Sequence, residues 1–260
     1  MIILSEQDYP WWDLDGCDFA AMLHGILTPF QLTDHTYKNW DDFIRKDPDL
    51  AYAWSVGGRF NVLEEAIIAL RPIVQMLGVT DFPIASQVRA LDRYVWLSAT
   101  IDLALFRVST IRDCCYVLVN EVFELQINGR ELSLRRLRQE DVLKGTTVLT
   151  ALLAIGSIGK ELREERNKRA HEGIQRPFGE DPQDTFMFKF AAMTEGRSTV
   201  EDFDLKQEYA KQVTLLYETY VKESEALRDA VWQLQDVLVE PFGDRFERKQ
   251  ASKQSGIRER

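Results

Sequence analysis

Between Ser86 and Ile127 the chain runs for 42 residues without a glycine or a proline. Strands of ordinary proteins end within about ten residues. A stretch of this length therefore implies one very long helix or two in tandem. Its second half, IRDCCYVLVNEVFEL, is apolar nearly all round, as a helix is when neighbours cover every side of it. A second uninterrupted stretch, Asp204 to Glu240, repeats its apolar residues at helical spacing until Pro241, which is expected to stop it. A further segment, residues 146–172, is not free of glycine: it opens with the uncharged TTVLTALLAIGSIG and finishes charged, and its Gly156 and Gly159 suggest close helix packing. These three segments call for an all-α fold, a long-helix up-and-down bundle.

Outside these segments the punctuation changes. Residues 1–58 carry PWWDLDGCD, TPFQLTD, RKDPD and VGG, a density of Pro, Gly and Asp that implies turns and short helices. From Asn61, VLEEAIIALRPIVQML has one apolar face at helical spacing, with Pro72 expected to kink or interrupt it and Gly78 to end it. Asn128-Gly129 marks a turn, and residues 174–203 are irregular, with FMFKF readable as a short strand or as part of a lid. The expected organisation is an irregular N-terminal helical cap over 1–80, a helical bundle over 81–243 and a basic flexible tail over 244–260.

At 45% hydrophobic and 28% charged residues the composition is that of a globular protein. The start, MIILSEQDYPWWD, lacks a basic segment followed by an apolar run, and the longest uncharged stretch, Gly145 to Gly159, is too short to span a bilayer. A soluble, cytoplasmic protein with no membrane partner is expected. Cys17, Cys114 and Cys115 form no CxxC pair and suit a reducing compartment as buried thiols. There is no HExxH and no P-loop. DLDGCD at 13–18 places its glycine fourth rather than sixth for a calcium loop and has His24, not Glu, at the twelfth position. No metal and no cofactor are expected.

The formal charge of −10 argues against a surface that binds any nucleic acid nonspecifically, yet the charge is uneven. Residues 130–176 hold 11 basic and 7 acidic side chains, whereas 1–129 hold 9 and 18. Inside the basic segment lies RNKRAHEG, residues 166–173. Lys168, Arg169 and His171 place cations at the carbonyl end of a helix, and Gly173 is a natural residue just beyond it. A helix end accounts for much of the octet on its own.

The arrangement of Arg166, Asn167, Ala170 and His171, R-N-x-x-A-H, resembles the signature of the HEPN (higher eukaryotes and prokaryotes nucleotide-binding) families. The resemblance covers about residues 86–240 and does not extend to the N-terminal cap. It implies an all-helical bundle and, for many members, a metal-independent endoribonuclease related to toxin-antitoxin or defence systems. RNA or nucleotide would then be the ligand, with an antitoxin-like protein as a further partner. Other members bind nucleotide without catalysis. The alternatives are therefore a noncatalytic nucleotide- or RNA-binding module and a helical protein-interaction module.

Under this resemblance Arg166, Asn167 and His171 are the candidate catalytic residues, and Lys168 and Arg169 the candidates for holding the RNA backbone. An imidazole titrates near neutral pH and suits proton transfer. A guanidinium is planar, always charged and bidentate, and suits phosphoryl oxygens. One histidine cannot readily serve as base and acid in one step, so a two-fold homodimer joining both octets is implied. On an ideal helix, residues five apart diverge by about 140°, so Arg166 must reach His171 along its side chain or by distortion of the last turn. Asp113, Asn120 and Glu121 are expected to be hydrogen-bonded core polars, and Trp11 and Trp12 an aromatic clasp.

Overall fold

The computed structural model describes residues 17–32, 36–78, 89–160, 162, 164, 167 and 205–258. Among them every regular element is a helix, and the fold is an all-helical bundle. The elements are α1 (Asp18–Gln31), α2 (Trp40–Lys46), α3 (Pro48–Leu77), α4 (Arg89–Val122), α5 (Leu134–Leu137), α6 (Thr147–Ser157) and α7 (Leu205–Arg258). The FMFKF segment, Trp11, Trp12 and residues 13–16 lie outside the described residues.

The helix starts follow from local chemistry. Cys17 caps α1, its Sγ accepting the Ala20 N–H at 3.3 Å. Asn39 caps α2, its Oδ1 accepting the Asp42 N–H at 2.9 Å, while Asp42 reaches back to the Lys38 N–H at 3.1 Å. Asp41 and Asp42 in the first turn and Arg45 and Lys46 in the last complement the dipole of this short helix. Proline opens α3, where its missing N–H has no partner to lose.

Three expectations about helix ends are corrected. Pro72 does not interrupt α3, and α3 begins at Pro48, well before Asn61. Pro241 lies inside α7, which continues to Arg258, so residues 244–258 are helical rather than a separate tail. An interior proline costs about 3 kcal/mol. Around each proline a buried apolar ridge offsets that cost: Leu70, Ile73, Val74 and Leu77 on α3, and Leu234, Leu238 and Phe242 on α7. Conversely, the segment expected as one helix over 146–172 is broken after Ser157. Gly159 adopts φ 64°, open to glycine at no steric cost, and donates its N–H to Glu223 Oε2 at 2.8 Å.

The chain divides into two compact units. One comprises residues 1–12, 68–109 and 158–227, and the other 13–67, 110–157 and 228–260, so α3, α4 and α7 each contribute to both. In the first unit the core is built from Leu70, Ile73 and Leu77 with Leu97, Ile101, Leu105 and Tyr220. In the second it is built from Phe19 and Leu23 on α1, Phe60 and Leu63 on α3, Val119 on α4, Leu152 on α6, and Leu234 and Phe242 on α7. Close helix approach in this unit needs missing side chains. A Cβ on Gly57 would meet Leu27 Cδ1 at 2.7 Å, and one on Gly156 would meet Leu134 Cδ2 at 2.7 Å. No described helix is long and apolar enough to cross a membrane.

Candidate functional site

Of the octet, Asn167 is described: it is helical and exposed. Arg166, Lys168, Arg169 and His171 lie outside the described residues. The approach to the octet is anchored in the first unit. Leu162 is buried, Gly159 is held by Glu223, and the exposed Lys160 pairs with Glu164 one turn along at 3.8 Å.

Asn120 and Glu121 on α4 take structural parts in the second unit. Asn120 clasps the chain after α4, its Oδ1 accepting the Ile127 N–H at 3.1 Å and its Nδ2 donating to the Ile127 carbonyl at 3.5 Å. Glu121 accepts from Ser55 Oγ at 2.6 Å and faces Arg59 Nε at 3.6 Å. Asp113 is exposed and lines no core. Glu124 closes α4 at φ 50°, where glycine is the usual occupant, and its carboxylate pairs with Lys249 at 2.8 Å. Lys253, two turns on from Arg245, pairs with Asp47 and lies 3.8 Å from Asp49. The basic residues of 244–258 are thus partly docked onto carboxylates of their own unit.

Cys17, Cys114 and Cys115 form no disulfide, and Cys17 and Cys115 are buried. Burial pushes both thiols up, away from the thiolate that nucleophilic chemistry needs. Cys17 donates to Gln235 Oε1 at 2.6 Å, a buried polar contact between α1 and α7. Among the described residues no group of three or more His, Cys, Asp or Glu side chains could hold a metal ion. A groove of about 260 Å³ lies between α1 and α3, with Leu23, Leu27 and Phe60 as its floor and His24, Gln31 and Asn61 on its polar side.

Beside that groove is a feature the sequence reading did not single out. Phe30 and Phe43 stack, centroids 5.3 Å apart and planes 10° from parallel. Trp54 meets Phe30 edge to face at 5.8 Å and 75°, and Trp40 meets Phe43 at 5.3 Å and 70°. Tyr37 packs on Phe43 at 4.7 Å and donates its hydroxyl to Asp47 Oδ2 at 2.6 Å. Burial and that bond to Asp47 push the Tyr37 phenol up to about 12. Asp42, 5% exposed, takes Lys46 at 2.8 Å and Arg45 at 2.6 Å, and with the Lys38 N–H these hold its carboxyl well below the usual carboxylate range. The available signal was the spacing of WDDFIRK: Trp40, Phe43 and Ile44 stand at i, i+3 and i+4 and so share one side of α2.

Comparison of the chain with protein-family models, with curated proteins and with solved structures gives no match.

Proposed function

We propose that this chain is a metal-independent endoribonuclease of the HEPN type, acting in the cytoplasm as a two-fold dimer. The observation that carries the reading is the pattern Arg166, Asn167, Ala170, His171. Two further facts support it: the described elements are all helical, and Asn167 is helical and exposed. The RNA itself provides the nucleophile. Its 2′-oxygen bonds to the adjacent phosphorus as the bond from phosphorus to the 5′-oxygen breaks. One proton leaves the 2′-hydroxyl and another reaches the departing 5′-oxygen, giving a 2′,3′-cyclic phosphate. His171 of one copy takes the first proton, and the second copy supplies the other transfer group. Arg166 neutralises the charge that develops on the phosphorane, and Asn167 orients His171 or the phosphate. Lys168 and Arg169 hold the strand. An antitoxin-like partner would act by covering this basic segment.

The test is cleavage of single-stranded RNA in EDTA, with cyclic phosphate ends identified by mass spectrometry. His171→Ala and Arg166→Ala should each lower the rate about a hundredfold or more, as loss of an acid-base or charge-stabilising group does. Melting temperatures should move by only a few degrees, because solvated side chains contribute little packing. Cleavage at the wild-type rate in His171→Ala ends the proposal. A wild type that binds RNA without cutting it supports the noncatalytic module instead.

A further inference from the structure

The aromatic cluster at the α1–α2–α3 edge of the second unit has three properties that a packing role leaves unexplained. First, its two tryptophans stay in water: Trp40 is 49% and Trp54 40% exposed. A T-shaped contact occupies at most one face of an indole, so each ring keeps a surface on which a planar group can lie. Second, the rings are held. Phe43 is buried, and Trp40, Phe43, Phe30 and Trp54 form a continuous series with ring-to-ring steps of 5.3–5.8 Å. A side chain already ordered by its neighbours loses little entropy when a ligand lands on it.

Third, charge is sorted by depth. The carboxylates of Asp42 and Asp49 are buried, whereas Arg45 is 74% exposed and Lys38 and Lys46 are exposed beside it. Asp41 is the exposed acid of α2. Asp47 is turned toward Tyr37 and Lys253. The outer surface therefore offers aromatic faces with cations at their side, Asp41 being the exposed carboxylate of α2, while Asp42 and Asp49 lie beneath. Leu32 and Ile44 extend its apolar margin.

We propose that this surface is a stacking platform for a single-stranded polynucleotide, two bases lying on Trp40 and Trp54 with the backbone beside Arg45 and Lys46. That the strand is RNA rests on the endoribonuclease reading; the platform does not. A planar, anionic, sequence-tolerant ligand matches exposed indoles backed by rings and flanked by cations. Lys38, Arg45 and Lys46 stand against Asp41 and Asp42, a local excess of a single positive charge. Binding is therefore carried by stacking, and its dependence on salt is shallow. The logarithm of the affinity falls by less than about one unit per decade of salt, since each phosphate neutralised on a single strand contributes roughly 0.7.

The experiment uses the full chain and a short single-stranded DNA oligonucleotide. The oligonucleotide lacks the 2′-hydroxyl and cannot be cut by the proposed chemistry, so binding is read apart from catalysis. The oligonucleotide should quench tryptophan fluorescence. Trp40→Ala and Trp54→Ala should each weaken binding about fivefold or more, the effect of losing one stacked base. Trp40→Phe should retain most of the affinity. Trp96→Ala, at an exposed tryptophan of the first unit, should change nothing. Wild-type affinity in the Trp40→Ala/Trp54→Ala double variant overturns the platform. So does a steep salt dependence with unchanged tryptophan emission, or quenching by an acidic peptide but not by the oligonucleotide. If an alanine variant fails to fold, the quenching and salt slope of the wild type, with Trp40→Phe, decide the matter. Oligonucleotide binding without RNA cleavage keeps the platform and ends the ribonuclease reading; cleavage with no loss in the double variant does the reverse.

Discussion

The second unit contains two aromatic clusters with nearly the same ring geometry and different surroundings. In one, Phe19 lies edge to face against Phe60 at 5.8 Å and Phe242 at 5.6 Å, and Tyr52 stacks on Phe242 at 5.4 Å. All four residues are buried. In the other, Phe30, Tyr37, Trp40, Phe43 and Trp54 pack at similar distances, but both tryptophans remain partly in water. Ring pairs contribute about 0.5–1.5 kcal/mol each in either setting. What separates the clusters is the apolar area removed from water, which dominates the energetics of burial. The first cluster joins α1 and α3 to α7 across more than two hundred residues of chain and holds the unit together. The second is drawn from residues 30–54 alone and presents rings that its local neighbours keep in place.

Truncating each cluster is the strongest way to break this comparison. Phe19→Ala should destabilise the protein by about 3–5 kcal/mol, the usual range for a buried phenylalanine. Trp40→Ala should cost less than about 1 kcal/mol, because half of its surface is already solvated and the cavity opens to water. Chemical denaturation monitored by circular dichroism measures both. Equal losses would place the edge cluster in the same structural role as the core. A smaller effect is expected at Tyr52, whose hydroxyl donates to the Val122 carbonyl at 2.8 Å in a buried setting. Tyr52→Phe keeps the stacked ring and orphans that acceptor, so the expected loss is about 1–2 kcal/mol, carried by the hydrogen bond rather than the ring. No loss would mean that Val122 finds another donor.

The same contrast explains how much could be read in advance. The long helices were legible because a 42-residue stretch free of Gly and Pro leaves few alternatives. The prolines at 72 and 241 misled because the competing factor, a buried ridge on both sides of each, is tertiary. The same holds for Lys249 and Lys253, which read as a solvated tail until Glu124 and Asp47 are seen opposite them. The structural use of Asn120 and Glu121 was expected from their place on an apolar helix, although the partners Ile127 and Ser55 were not. The octet is the converse case. The chemistry proposed for it rests on residue types at fixed spacing, whereas the geometry of Arg166 against His171 lies outside the described residues. The edge aromatics lie within 25 residues of chain and were in principle legible, but only exposure distinguishes a platform from a packing cluster.

The smallest effect, and the sharpest comparison of the two clusters, concerns Tyr37 at high pH. Its phenol sits at the edge cluster with its hydroxyl on Asp47, and burial together with that carboxylate raises it from 10.0 to about 12. Both causes favour the neutral phenol, so the folded state holds its proton more tightly than the unfolded chain does. The stability this contributes is fully present below pH 10.0, declines as pH rises above it, and is lost as pH passes through about 12. The stability difference between wild type and Tyr37→Phe should therefore stay constant through neutral pH and shrink above pH 10.0, while the difference for Trp40→Ala stays flat throughout. Phenolate absorbance of the folded protein, taken as wild type minus Tyr37→Phe, gives the titration directly. A midpoint near 10.0 in that difference would mean that the Tyr37 hydroxyl is solvated and that Asp47 answers to Lys253 alone.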